Sequence, residues 1–395
     1  MVISLKTTII NANLITPNLE FRGGLVIDND KIIRIFEGDK NPGEGDVFDA
    51  KGYRLAPGFV DIHLHGGGGS DFMDNDPDAY KKILQTHMRH GVTALCPTIM
   101  TSTQENIFAS LSSYEIALAI EELPELLGLH IEGPYFSYEQ KGAQDPRYIR
   151  NPDPAEYLKI LDRSVHIKRW SMAPELDGAL EFGAELRRRG IVAAIAHSDA
   201  FYEDVAKAND YGFTMLTHFY SGMSGVRRLN AYRYSGVIES GYLIDDYTVE
   251  IIADGHHLPE SLLKLVYKQK GSSKICLVTD SMRAAGEPEG PSFLGMEGTG
   301  LPVIVEDGVA KLPDRSSFAG SVATADVLVR TMVKKAHVPI NEAVRMMTLT
   351  PARVMGVDHR IGSIAVSKDA DLVIFDDDIN IKAVFIKGKP TVVNL

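Results

Sequence analysis

Short apolar runs alternate with amphipathic stretches along the middle of this 395-residue chain. Uninterrupted apolar runs of roughly four to eight residues indicate strands buried on both faces, and apolar residues three or four positions apart indicate helices. The strand candidates are GFVDIHLH, TALCPTI, LLGLHIEG, HIKRWSMAPE, VAAIAHSD, MLTHFYS, VEIIADG and ICLVTDS. Helical candidates between them include YKKILQTHMRHG, ALEFGAELRRRG, FYEDVAKANDYG and PESLLKLVYKQKG. This alternation predicts an α/β fold, either a (β/α)8 barrel or an open doubly wound sheet.

The two ends of the chain have a different pattern, with β-branched residues and turns but no helical spacing. They include TTIINANLITP and GGLVIDNDKIIRIFEG near the start, and IGSIAVSKDADLVIFDDD and IKAVFIKGKPTVVN near the end. Asn29-Asp30 between two apolar runs predicts a hairpin turn. We therefore expect residues 1–56 and 356–395 to form one small β domain, on either side of a barrel formed by residues 57–355.

Residues that can bind metal or transfer protons stand at the ends of separate strand candidates. They are His63 and His65, Glu132, His197, His218, His257 and Asp280. In a (β/α)8 barrel the carboxyl ends of all strands meet on one face, where the active site is built. An open sheet offers no such general convergence, so these positions favour the barrel.

The candidate metal ligands are imidazoles and a carboxylate. His63 and His65 are two residues apart on a strand, so both side chains point the same way. Glu132, His197 and His218 form a nitrogen and oxygen set that suits zinc or ferrous iron and leaves a position for water. Each histidine alone is equally compatible with a place in the core, but the set at successive strand ends indicates a metal site.

Two further residues have the chemistry of acid–base catalysis. Asp280, in ICLVTDSM, is the candidate general base that takes a proton from water and passes it to a leaving nitrogen. Its alternative role is to cap a helix N-terminus. Of the adjacent His256 and His257, only one can face the site on an extended segment. That one could polarise an acyl oxygen and stabilise the oxyanion.

The net charge of −12 disfavours nucleic acid and anionic membranes as partners. An anionic substrate would need a local basic cluster, and Arg227, Arg228 and Arg233 provide a candidate, although they equally suit a solvated loop. Cys96 and Cys276 lie in apolar stretches and predict buried free thiols in a reducing compartment. The start of the chain lacks the pattern of a signal peptide, and no apolar run reaches the length of a membrane span. We expect a cytoplasmic protein.

Several motifs resemble those of the N-acetylglucosamine-6-phosphate deacetylase family of the amidohydrolase superfamily. The segments are PGFVDIHLHG, GLHIEGPYFSYEQKGAQDPRYIR, AHSDA, THFYSGM, IADGHHL, LVTDSMRAAG and SFAGS. The resemblance implies hydrolysis of N-acetylglucosamine 6-phosphate to glucosamine 6-phosphate and acetate, by a homodimer with a β-sandwich next to the barrel. It places metal on Glu132, His197 and His218, the base on Asp280 and a substrate contact on His257. Because both His63 and His65 are present, a second metal bridged by Glu132 is also expected.

The resemblance also implies where the sugar phosphate lies. The matching positions are Ala143, Gln144, Ser221, Gly222, Phe318, Ala319 and Gly320. Three departures fall on this side of the site: Gln144 replaces a common histidine, Ser221-Gly222 replaces Asn-Ala, and Tyr232–Gly236 replaces H-R-E-P-G. Spacing to Gly236 favours Arg233 over Arg227 and Arg228 as the phosphate ligand, which such proteins often offer to the neighbouring subunit.

These departures leave the substrate open. The alternatives are N-acetylgalactosamine 6-phosphate, another N-acyl amine or a cyclic amide with the same chemistry. An alternative of another class is a barrel that binds a ligand without catalysis.

Overall fold

The computed structural model describes residues 6–38 and 42–394. The prediction that the chain does not start with a signal peptide falls partly on residues 1–5, which lie outside the described residues.

The strands, in chain order, are β1 Lys6–Ile15, β2 Glu20–Asp28, β3 Lys31–Glu37, β4 Asp46–Asp49, β5 Arg54–Pro57, β6 Phe59–Leu64, β7 Gly66–Gly67, β8 Ser70–Asp71, β9 Val92–Ile99, β10 Glu125–Leu126, β11 Leu129–Glu132, β12 Ile167–Met172, β13 Val192–Ile195, β14 Phe213–Leu216, β15 Arg227–Leu229, β16 Tyr232–Tyr234, β17 Thr248–Ile251, β18 Ile275–Leu277, β19 Gly290–Leu294, β20 Leu301–Glu306, β21 Val309–Lys311, β22 Leu372–Phe375, β23 Ile381–Ile386 and β24 Lys389–Val393. The α-helices are α1 Pro77–Arg89, α2 Gln104–Ala117, α3 Pro154–Arg163, α4 Ala179–Arg188, α5 Tyr202–Asp210, α6 Val237–Leu243, α7 Glu260–Lys270, α8 Ala325–Lys334, α9 Ile340–Met347 and α10 Leu349–Val354.

The middle of the chain forms a parallel barrel. Its strands run in the order β6, β9, β11, β12, β13, β14, β17 and β18, with the short β10 beside β9. Each strand is followed in the chain by a helix on the outside, from α1 after β6 to α8 after β18. Backbone bonds from Asp280 N–H to His63 C=O (2.9 Å) and from His65 N–H to Ser281 C=O (2.8 Å) connect the two ends of the sheet. The predicted barrel is therefore confirmed.

Burial on both faces explains why the barrel strands have continuous apolar runs. Every residue of β9, VTALCPTI, is buried, because one face meets the barrel interior and the other meets helices. Inside the barrel, Val60, Ile62 and Val278 pack with the two cysteines, Cys96 and Cys276, which are free and buried as expected. Outside, helices such as α1 bury one face, and Asp76 caps that helix just before Pro77.

The chain ends form a second sheet with its own core. Its order is β24-β23-β22-β5-β1-β2-β3, with β4 beside β1. The expected hairpin turn lies between β2 and β3, where Asn29 has a φ of 55°. Antiparallel pairing of β5 with β22, for instance Leu55 with Ile374, joins the two ends of the chain. The shared β domain is confirmed, while its boundaries at residues 56 and 356 stay predictions.

Two small β elements stand near the carboxyl end of the barrel. The antiparallel pair β15–β16 follows β14, and the three-stranded sheet β19-β20-β21 follows β18.

Among the described residues, no helix combines the length and the apolar character needed to span a membrane.

Candidate active site

A cavity of ≈ 290 Å³ opens at the carboxyl end of the barrel. That volume is at the lower end of the range found for small-molecule sites. Its lining consists of His65, Met100, Glu132, Gly142, Ala143, Gln144, His197, His218, Tyr220, Ser221, Gly222, His257, Asp280, Leu294, Ser317, Phe318 and Gly320. The barrel thus brings residues from most of its strand ends to one place.

Glu132, His197 and His218 form one group of possible metal ligands, with their donor atoms within 4.8 Å of one another. His218 Nε2 lies 3.0 Å from Glu132 Oε1 and 3.2 Å from His197 Nε2. His197 Nδ1 lies 2.8 Å from the Gln140 carbonyl oxygen, and His218 Nδ1 lies 3.1 Å from that of Ser221. Each Nδ1 must donate to its carbonyl, so both Nε2 atoms carry lone pairs that face the same carboxylate.

His63, His65 and Asp280 form a second group with the same compactness. His65 Nε2 is 3.1 Å from Asp280 Oδ1 and 3.5 Å from Glu132 Oε2. His63 Nε2 is fully buried and has no hydrogen-bond partner among the described residues, at 3.5 Å from both Glu132 Oε1 and Asp280 Oδ1. Glu132 therefore presents one oxygen to His197 and His218 and the other toward His65.

These two groups fit divalent cations. The Nε2 lone pairs of His197 and His218 are only 3.2 Å apart and repel each other unless a cation lies between or beside them. The buried Nε2 of His63 has no hydrogen-bond partner among the described residues, and a cation would satisfy it. The donor set of imidazole nitrogens and carboxylate oxygens is the one that zinc and ferrous iron take.

Three of these residues have unusual backbone geometry. His197, His218 and Asp280 have φ values of 45°, 31° and 47°. This left-handed region is sparsely populated by residues other than glycine and is often retained at functional sites. Each of the three residues follows soon after the end of a barrel strand. The turn directs their side chains into the cavity rather than along the strand.

The surrounding imidazoles favour the ionised form of the two carboxylates. Burial by itself would raise the pKa of Glu132, but the imidazoles of His63, His197 and His218 bring that pKa well below its ordinary value. Burial likewise opposes ionisation of Asp280, and His63 and His65 bring its pKa below the usual one. Both carboxylates are therefore held as anions, the form that binds a cation or accepts a proton.

Two side chains at the cavity wall are held by hydrogen bonds. Gln144 Nε2 donates to Glu132 Oε2 (2.9 Å), and its Oε1 accepts the Thr101 backbone N–H (3.3 Å). His257 Nδ1 lies 2.7 Å from Asp254 Oδ2, which leaves its Nε2 free to meet a ligand. His256, the adjacent histidine, is exposed and does not line the cavity.

The arginines expected to bind phosphate do not line the cavity of this chain. Arg227 donates to the Asp199 carboxylate and stacks on the Phe201 ring, 3.8 Å from its centroid. Arg228 and Arg233 are exposed and pair with each other across the β15–β16 hairpin. Ala319 is fully buried next to the cavity without lining it. No lysine or arginine of the described chain lines the cavity.

Sequence reasoning missed the charged residues beneath the site. Glu250 lies in β17 and Arg169 in β12, both fully buried and paired with each other. Glu250 Oε2 lies 3.1 Å from His63 Nδ1. The signal was a charged residue inside an otherwise apolar strand, which a barrel strand tolerates only with a partner.

Comparisons with known proteins agree with this arrangement. The family model described as "Amidohydrolase family" matches residues 54–391. The chain belongs to the amidohydrolase family. N-acetylgalactosamine-6-phosphate deacetylase of Escherichia coli O157:H7 is 34% identical over 85% of this chain and 87% of its own length. N-acetylglucosamine-6-phosphate deacetylase of Haemophilus influenzae (strain ATCC 51907 / DSM 11121 / KW20 / Rd) is 31% identical over 98% of this chain and 99% of its own.

A solved structure of a deacetylase is also similar to this amidohydrolase over nearly its whole length. It is a mutant of N-acetyl-D-glucosamine-6-phosphate deacetylase from Mycobacterium smegmatis in complex with N-acetyl-D-glucosamine-6-phosphate. It is 30% identical, covers 99% of this chain and 100% of its own, and superposes with a TM-score of 0.90. The expected membership in the N-acetylglucosamine-6-phosphate deacetylase family is confirmed, and the protein is a hydrolase of a metal-dependent family.

Proposed function

We propose that this amidohydrolase removes the acetyl group of N-acetylglucosamine 6-phosphate to give glucosamine 6-phosphate and acetate, a step of amino-sugar breakdown in the cytoplasm. The observation that carries the proposal is the convergence of Glu132, His197, His218, Asp280 and His257 on one cavity. Full-length similarity to enzymes named for this reaction supports it.

One or two divalent cations, zinc or iron, complete the site in this proposal. Glu132, His197 and His218 hold the first, while His63, His65 and Asp280 together with Glu132 hold the second. A cation at this place supplies Lewis acidity toward the acyl oxygen and lowers the pKa of a water molecule toward neutrality.

Asp280 and His257 divide the proton chemistry. Asp280 accepts a proton from the attacking water and returns it to the nitrogen as the C–N bond breaks, so that glucosamine 6-phosphate leaves as the amine. His257, whose Nδ1 is held by Asp254, turns Nε2 toward the acyl oxygen and stabilises the charge that develops there.

The sugar phosphate occupies the rest of the cavity. Ala143, Gly222, Phe318 and Gly320 provide a wall of small groups and one aromatic ring, and Ser221 provides a polar contact. Ala319 supports that wall from behind. Gln144 acts on the substrate side only indirectly, because both ends of its amide already bond to Glu132 and Thr101.

The phosphate needs a positive charge, and none of the described residues that line the cavity is a lysine or an arginine. We propose that two copies of the chain pair through the β15–β16 hairpin and that Arg233 of each copy reaches the neighbouring cavity. The hairpin exposes Tyr232 and Leu229 by 72% and 45%, and a second copy of the chain would cover this apolar surface. Arg227 is the weaker candidate because Asp199 already neutralises it.

A mixed-dimer experiment tests the arginine. Arg233→Ala should raise KM for the phosphorylated sugar at least tenfold and leave activity on unphosphorylated N-acetylglucosamine unchanged. Dimers that contain one Arg233→Ala chain and one Asp280→Asn chain should recover activity, because one of their two cavities has both intact groups. A monomer in sedimentation, or no recovery in mixed dimers, would contradict this arrangement.

A second candidate substrate is N-acetylgalactosamine 6-phosphate, since the Escherichia coli relative named for it is 34% identical. The two sugars differ only at the 4-hydroxyl, so the same machinery serves both. Acetate release from both 6-phosphates and from their unphosphorylated forms, measured as kcat/KM on metal-reconstituted protein, identifies the substrate. Another N-acyl amine or a cyclic amide belongs in the same panel. A metal-loaded protein without activity on any of them would indicate a binding protein.

A further inference from the structure

A buried ion pair lies directly under the candidate metal site and has no part in the mechanism above. Glu250 and Arg169 are fully buried, and Arg169 Nη1 donates to Glu250 Oε1. Arg169 also donates to the Ile62 carbonyl oxygen (3.2 Å) and to Thr217 Oγ1 (2.9 Å). The desolvation of two buried charges costs more free energy than their attraction supplies, unless the hydrogen-bond geometry is good. Stabilisation of the fold is therefore a poor explanation for this pair on its own.

The other oxygen of Glu250 connects the pair to both groups of ligands. Glu250 Oε2 lies 3.1 Å from His63 Nδ1 and also accepts the backbone N–H of His218 at 3.1 Å. A carboxylate can only accept here, so His63 carries its proton on Nδ1. The Nε2 lone pair of His63 is then free, in the position where it lies 3.5 Å from both Glu132 and Asp280.

We propose that Glu250 is a positioning residue that fixes the tautomer and orientation of His63, raises the basicity of its Nε2 toward a divalent cation, and is itself held by Arg169. A carboxylate behind a ligating histidine typically changes metal affinity 10- to 100-fold. The inference rests on the proposed metal site, and its readout is cation binding rather than deacetylation.

The test is Co²⁺ binding to metal-stripped full-length protein, followed by visible absorption and elemental analysis. Glu250→Gln keeps the size of the side chain but turns an amide toward either Arg169 or His63. We expect the Kd for Co²⁺ to rise 10- to 100-fold and the Co²⁺ spectrum to change. We also expect Tm to fall by several degrees, because Arg169 loses its partner.

A double variant separates positioning from stability. Arg169→Met with Glu250→Gln removes both charges, so Tm should return toward the wild-type value while Co²⁺ affinity stays about tenfold weaker, since a neutral amide does not make His63 more basic. If affinity and Tm recover together, the pair only stabilises the barrel and the proposal is overturned.

The chain offers a matched control for Glu250, because another buried carboxylate, Asp326, also contacts a histidine and an arginine. Asp326 on α8 lies 3.0 Å from His90 Nδ1 and 3.1 Å from Arg330 Nη2, away from the cavity lining. Asp326→Asn should lower Tm without changing Co²⁺ affinity. Wild-type protein that binds no Co²⁺ would refute the metal site itself, whereas equal affinity of wild-type protein and Glu250→Gln would refute only the role of Glu250.

Discussion

The replacement Asp280→Asn removes the candidate proton acceptor of the cavity, which is also a proposed ligand of the second cation, and keeps the shape of the side chain. Asparagine has the same size as aspartate, and it is among the few residues that readily adopt left-handed backbone, so the φ of 47° at this position adds no new strain. The hydrogen bond with His65 remains possible through the amide oxygen. The variant should therefore fold and retain the cation that Glu132, His197 and His218 are proposed to hold.

The expected fall in kcat/KM depends on whether another group of the cavity can replace Asp280 as the base. Glu132 is the other carboxylate of the lining, but Gln144 Nε2 donates to its Oε2, and the proposed cations take its remaining lone pairs. Nothing else among the lining residues is an anionic base. A positioned acid–base group contributes about 10²- to 10⁴-fold to the rate. The kcat/KM should therefore fall by that factor, or about 3–5 kcal/mol of transition-state stabilisation.

The assay is acetate release from N-acetylglucosamine 6-phosphate by protein reconstituted with zinc or ferrous iron, together with metal content and Tm. Asp326→Asn serves as the control, with kcat/KM close to that of the wild type. The reasoning is refuted if Asp280→Asn stays within tenfold of wild-type kcat/KM at normal metal content. In that case another group would be the base.

Three further predictions concern stability. Burial raises the pKa of Asp371 to about 6, so the folded protein holds this proton more tightly than the unfolded chain and the free energy of unfolding falls as pH rises from about 4 to about 6. Asp371→Asn should remove this fall and raise the free energy of unfolding at pH 7.5 by about 1–3 kcal/mol, measured by urea denaturation; an unchanged pH dependence would contradict it. Tyr247→Phe should cost about 1–2 kcal/mol, because the buried hydroxyl donates to the Val205 carbonyl oxygen (2.9 Å); denaturant midpoints equal to those of the wild type would argue against that bond. Chelation should lower Tm and added Zn²⁺ should restore it, since a cation at 100 times its Kd stabilises the folded state by about 2.7 kcal/mol; an unaffected Tm would speak against a metal site.

The sequence was informative where a residue's position along its own strand determines its role. Every predicted barrel strand is present because burial on both faces leaves a continuous apolar run such as that of β9. His197 and Asp280 were predicted to face the site because they have the right chemistry and follow a strand, and both line the cavity. Such positions are visible in one segment without knowledge of its neighbours.

Contacts between distant segments could not be predicted in the same way. Gln144 was expected at the substrate and lines the cavity, but its bond to Glu132 is a contact that only the folded loop reveals. Arg227 was a candidate for the phosphate alongside the favoured Arg233, and only the folded chain shows that Arg227 pairs with Asp199. Glu250 and Arg169 are 81 positions apart in the chain, and nothing in either segment alone indicates that they meet.

The joint sheet built from both chain ends has a consequence for biosynthesis. Arg54, at the start of β5, bonds to Asp377, 323 positions later, and Lys31 bonds to Asp369, 338 positions later. A ribosome adds about 5–20 residues per second, so the early strands wait for tens of seconds beside the growing barrel with an open edge at β5. Unpaired edges are templates for association with other chains. We therefore expect the interval before β22 emerges, rather than assembly of the metal site, to be the period in which the nascent chain most needs a chaperone.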